Sequence, residues 1–139
     1  MNLYLRCFII SVLLVLYSSI ATTFGQDKST EKDLTLVAKE LLKSQLDIWE
    51  EGEVIVSYVE APAGYELKKH YHPGEEFAYV LEGSGTTWFE DAPEVEVSKG
   101  EIMKIPHKAV HTFIPGPEGV KVLVFRVHKE GKPLRINVE

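Results

Sequence analysis

Apolar and polar residues change rhythm along the chain. Cys7 to Ala21 is nearly all apolar, Gln26 to Asp33 is polar and charged, and from Leu34 to Trp49 apolar residues fall at 34, 37, 38, 41, 42 and 46. That last spacing follows a 3.6-residue period and predicts a helix, with Ser29 or Thr30 available as its cap. From Val54 the period drops to two, Val54, Val56 and Tyr58 alternating with Ile55, Ser57 and Val59. Turn-forming residues then recur at Ala61 to Gly64, Pro73-Gly74, Gly83-Ser84-Gly85, Asp91-Ala92-Pro93, Lys99-Gly100, Pro106-His107 and Pro115-Gly116-Pro117. Short segments rich in Val, Ile, Phe, Tyr and Thr separate them, and a spacing of about 8–12 residues between turns marks an antiparallel sandwich or barrel. The predicted fold class is all-β. Closure into a single antiparallel β-barrel is favoured because it removes exposed sheet edges.

The apolar run near the start carries a different message. Arg6 precedes it, small and polar residues follow, and the run is shorter than the roughly twenty residues that span a bilayer. Residues 1–25 therefore read as a signal peptide, cleaved before Gln26 or near Ala21, with an uncleaved anchor as the alternative. The expected organisation is a signal over 1–25, a lead-in over 26–48 and a barrel over 49–139, in an exported protein, periplasmic or extracellular, that leaves the membrane after cleavage. Cleavage removes Cys7, the only cysteine, so neither disulfides nor thiol chemistry serve the mature chain. The full sequence carries 15 basic and 21 acidic residues, and loss of Arg6 moves the net charge from −6 to −7. Nucleic acid is a disfavoured partner, because phosphate binding needs clustered Lys and Arg.

The 139 residues suit one domain, and a hydrophobic fraction of 45% with 26% charged residues is that of a folded globular chain. Its chemistry concentrates in four side chains. His70 and His72 are two apart, so on one strand both imidazoles face the same way. Glu76 follows at an even offset across Pro73-Gly74, where a bend can return its carboxylate to that face. His111 lies beyond two further strand-like segments, at a separation that suits a ligand from a partner strand. Imidazoles with one carboxylate suit a divalent transition metal such as Fe, Mn, Ni, Zn or Cu, and not Ca or Mg.

With these residues in place the sequence resembles the cupin superfamily, in particular small bacterial-type single-domain cupins. Gly64-(five residues)-His70-Tyr71-His72-(three residues)-Glu76-(six residues)-Gly83 matches the first cupin motif, and Gly100-(five residues)-Pro106-(four residues)-His111 most of the second. The resemblance covers about Val54 to Val127 and implies a jelly-roll barrel with one metal held by His70, His72, Glu76 and His111. Two positions depart from the second motif: Lys108 stands where glycine is usual and Pro115 where asparagine is. Lys108 implies a different local backbone there, which could shift His111. The resemblance also implies that residues 34–49 contain a strand, about Lys39 to Leu46, of the kind exchanged between subunits, so helix and strand both stay open. A homodimer is expected on the same ground.

Other residues carry weaker expectations. His107 reads as a solvated turn residue, and His128, at the end of the last strand, as surface. Phe77, Trp88, Phe89, Phe113 and Phe125 read as core filling that could also line a pocket. Tyr79 should face away from the metal, and Tyr65 and Tyr71 have no better claim to a role as base. Arg126 shares a face with Val120, Val122 and Val124; it is either an interior anchor for a substrate carboxylate or the partner of a glutamate.

Four protein ligands around an octahedral ion leave two positions open, and the residual positive charge favours an anionic small-molecule ligand. The expected function is a metal-dependent enzyme, an oxygenase, decarboxylase, isomerase or lyase, acting on a small oxygenated organic compound. The alternative is a non-catalytic binding protein for a sugar or organic acid with a structural metal.

Overall fold

The computed structural model describes residues 34–138, and the predicted signal peptide lies outside them. The described chain contains strands and no helix: β1 (Val37–Leu46), β2 (Trp49–Ala61), β3 (His70–Tyr71), β4 (Glu75–Phe89), β5 (Val95–Ser98), β6 (Ile102–Ile105), β7 (His111–Lys129) and β8 (Ile136–Asn137). All pairings are antiparallel, within one curled sheet. Its organising element is β7. The early part of β7 lies between β3 and β4, and its later part between β2 and β4, while β5 and β6 add to the far edge of β4.

Residues 37–46 are strand and not the helix that their apolar spacing predicts. The segment pairs with β2 from Val37↔Glu60 to Leu46↔Trp49, so its backbone groups are satisfied by the sheet. A ladder of this length outweighs helix propensities that differ by only tenths of a kcal/mol per residue.

Two predicted turns are also absent. Gly83-Ser84-Gly85 lies inside β4 and Pro115-Gly116-Pro117 inside β7, where the β4–β7 register slips instead of reversing. Gly83, which pairs with Val120, and the adjacent Gly119 have φ of 75° and 80°, and a Cβ on Gly83 would come within 2.1 Å of the Gly119 carbonyl oxygen. Two strands can come this close and bend together only where glycines meet. The bend lets single long strands serve both ends of the curled sheet.

Alternation sets the inner face. Ala78 and Val80 of β4, Val120, Val122 and Val124 of β7, and Ile55 and Ala61 of β2 are buried. The same face continues in polar residues: Glu76 before Ala78, Arg126 and His128 after Val124, and Glu53 before Ile55. The apolar centre of the strands therefore grades into a polar end.

Candidate metal centre

Three cross-strand partnerships bring the polar residues together. His70 stands opposite His111 in the β3–β7 ladder, Glu76 opposite Arg126 in β4–β7, and Glu53 opposite His128 in β2–β7. His70, His72 and His111 are 2–3% exposed, with donor atoms all within 4.8 Å of one another. Their ring centroids lie 4.4 Å apart for His70–His111, 4.8 Å for His70–His72 and 5.2 Å for His72–His111. These three predicted ligands form a cluster that can hold a metal ion.

Each ring is oriented by a backbone carbonyl. The Nδ1–H of His70 donates to Lys68 O at 2.8 Å, that of His72 to Leu134 O at 2.6 Å, and that of His111 to Ala109 O at 3.0 Å. With Nδ1 protonated, Nε2 carries the lone pair, as a metal-binding imidazole requires. Burial pushes the His70 pKa down to about 4, and the neighbouring His111 and His72 push the same way. His72 is also lowered, again chiefly by burial. His70 and His72 are therefore held neutral near pH 7, the form that binds a cation.

Glu76 stands at the edge of this cluster. Its Oε2 lies 3.0 Å from His72 Nε2 and 2.7 Å from Arg126 Nε. Both acceptor atoms are buried, and neither has a directed hydrogen bond; the Arg126 contact is an ion pair without hydrogen-bond geometry. Two lone pairs facing at 3.0 Å repel unless a proton or cation lies between them, and burial disfavours the protonated imidazole. A divalent cation relieves both atoms, so the residues present fit a metal.

Lys108 adopts φ of 60° in the second-motif loop, a left-handed conformation that glycine reaches more readily and that a residue with a Cβ holds at a steric cost. Its N–H donates to His72 O at 3.1 Å, tying the loop that carries His111 to the first motif. Thr112 Oγ1, beside His111, donates to Leu67 O at 2.5 Å on the approach to β3.

A cavity of about 280 Å³ adjoins the cluster, touching His70, Glu76 and His111 at its polar end. Val59, Met103, Phe113 and Val122 are among its mainly apolar walls. Of the aromatic candidates, Phe113 lines the cavity, Phe89 packs 6.0 Å from the His111 ring, and Phe125 is 36% exposed. Tyr65 reaches the cavity, Tyr79 points to solvent, and His107 is an exposed turn residue. Arg126 is interior and paired to Glu76, the second of its two predicted roles.

His128 is not a surface residue. It is 3% exposed, its Nε2 is 3.4 Å from Glu53 Oε1, and Lys43 Nζ reaches the other oxygen of Glu53 at 3.0 Å. The alternation Val124, Arg126, His128 carried this signal. Leu134 gave no signal, because it acts through its backbone.

Comparison with known proteins agrees with this fold. Residues 57–126 match the model of the Cupin domain. The dimethylsulfoniopropionate lyase DddW of Ruegeria pomeroyi is 33% identical over 69 residues, 50% of this chain and 45% of the lyase. Quercetin 2,3-dioxygenase of Bacillus subtilis is 34% identical over 64 residues, 45% of this chain and 19% of the dioxygenase. The chain thus spans less than half the length of either curated relative. Among solved structures, the dimethylsulfoniopropionate lyase DddQ of Ruegeria pomeroyi superposes with a TM-score of 0.61 at 18% identity, over 74% of this chain and 51% of that one, a likeness of fold. The domain match covers half the chain and contains His70, His72, Glu76 and His111, and on that ground the chain belongs to the cupin family.

Proposed function

We propose that this chain is an exported, metal-binding cupin that acts as a metal-dependent enzyme on a small oxygenated organic compound, within the range of an oxygenase, decarboxylase, isomerase or lyase. The observation that carries this reading is the facing of His72 Nε2 and Glu76 Oε2 at 3.0 Å, beside two more buried imidazoles and at the end of a cavity of about 280 Å³. His70, His72, Glu76 and His111 would hold Fe, Mn, Ni, Zn or Cu, which when bound supplies a Lewis acid or an oxygen-activating centre.

The protein's own contribution is positioning. The three carbonyl acceptors fix the imidazoles, Arg126 holds the Glu76 carboxylate in place, and the apolar walls keep water from the ligand's body. The lyase and the dioxygenase among the relatives act on small molecules, which supports a small-molecule substrate here. In this reading the curled sheet closes into a full jelly-roll barrel, and the apolar run before Gln26 directs export. Its working form is a homodimer. Leu41 and Leu42 on β1, at one end of the sheet order, are about half exposed and Ile48 beyond it is 96% exposed, which supports pairing there.

One observation favours the alternative of a passive binder. Apart from the proposed ligands, the titratable side chains lining the cavity among the described residues are Tyr65, Arg126 and Arg135, so no spare carboxylate or imidazole serves as general base. A panel of enediols, flavonoids, oxalate and uronates, followed by oxygen consumption and absorbance on the metal-loaded protein, separates the two. Turnover of one compound class is expected. Binding without turnover establishes the passive reading, and neither overturns both.

A further inference from the structure

Two arginines touch the cavity, and they differ in how they are used. Arg126 is committed to Glu76 at 2.7 Å. Arg135 also lines the cavity, is solvent-exposed, and makes no ion pair with any carboxylate among the described residues. We infer that Arg135 is a specificity-determining residue that receives the carboxylate of a small organic acid at the mouth of the metal centre. This rests on the metal-centre reading above and names the class of ligand that site takes.

The segment carrying Arg135 is anchored on both sides. On one side, the carbonyl of Leu134 accepts the His72 Nδ1–H at 2.6 Å. On the other, Ile136 and Asn137 pair with Tyr71 and His70, and the Val138 N–H donates to Lys69 O at 3.0 Å. Arg135 lies between Leu134, whose carbonyl holds the His72 ring, and Ile136, which pairs with Tyr71. A guanidinium held there presents a fork that matches a carboxylate in two-point geometry. The cavity behind it is walled mainly by apolar side chains, which suits an aliphatic body and not a second charge. One end of the ligand is thus defined by charge and the rest by apolar volume.

The test uses the zinc-loaded protein and calorimetric titration with the straight-chain monocarboxylates from propionate to hexanoate, each beside its uncharged amide. The wild type should prefer carboxylate to amide. Arg135→Gln should lose about tenfold in carboxylate affinity with amide binding unchanged, the size expected for one charge-assisted contact facing solvent. Arg135→Lys should fall between. Equal carboxylate affinity in wild type and Arg135→Gln overturns the inference, as does a wild type that binds no carboxylate. Metal content measured on the same samples keeps the two readings apart. Stoichiometric metal without any Arg135 dependence refutes only this inference. An Arg135-dependent preference in a chain that takes up no metal refutes only the metal centre.

Discussion

Arg126 and Glu76 stand directly opposite each other on β7 and β4, with Nε 2.7 Å from Oε2, so the carboxylate nearest the histidine cluster already has a cation beside it. Breaking a buried pair by removing one partner costs about 3 kcal/mol, because the remaining charge is stranded. Arg126→Leu should lower metal-free stability by about that amount. Zinc, by neutralising Glu76, should restore part of the loss, so the zinc-induced rise in denaturation midpoint should be larger in the variant than in wild type. An equal or smaller rise would show that Glu76 does not respond to the metal.

Lys108 holds φ of 60° in the loop before His111. A left-handed conformation costs a residue with a Cβ about 1 kcal/mol and costs glycine almost nothing. Lys108→Gly should therefore raise stability by up to about 1 kcal/mol in denaturant titration, less any loss to unfolded-chain entropy. Metal content should not change, because the backbone path stays the same. A destabilised variant would mean that the lysine side chain contributes something its exposure does not suggest.

The buried histidines set a pH dependence for the metal-free protein. His70 has a folded pKa of about 4 against 6.5 in the unfolded chain, and His72 and His128 are shifted in the same direction, each chiefly by burial. Between these values the unfolded chain binds more protons than the folded one, so stability rises with pH there. It should be complete above about pH 6.5, fall as the pH drops towards 4, and level off below for these groups. Urea midpoints at pH 7.5, 6 and 5 check this, and a midpoint that held constant or rose with acidity would contradict it.

His128 lies on the same inward face as Arg126 but beside Glu53, which Lys43 already neutralises at 3.0 Å. Neither ring nitrogen has a hydrogen-bond partner in the described structure. Replacing the ring with an apolar side chain of similar size forfeits only its 3.4 Å contact with Glu53, whose charge Lys43 still neutralises. His128→Leu should change stability by no more than about 1 kcal/mol and keep full metal content. Loss of metal would place His128 in the centre after all.

The all-β class was legible from period-two alternation, and three clustered ligands from motif spacing. Both signals are local or are carried by side-chain type. The strand at residues 37–46 was legible only through the family resemblance, because its apolar spacing mimics a helix and its stability comes from a ladder with β2. Gly83-Ser84-Gly85 and Pro115-Gly116-Pro117 read as turns because glycine and proline mark any backbone irregularity, whether a reversal or a bulge in a long strand. Continuing the alternation past Val124 would have placed His128 inside. Nothing in the sequence could reveal that a carbonyl at residue 134 steers His72, since every residue offers the same acceptor.

The central claim is that the facing acceptors His72 Nε2 and Glu76 Oε2, with His70 and His111, hold one metal ion. Elemental analysis of the chain purified without chelator tests it most directly, with His72→Ala as the comparison. The account predicts about one divalent transition metal per wild-type chain and almost none in the variant, as mononuclear His/Glu sites require. A folded wild-type chain that contains no transition metal and takes none up on addition would contradict it.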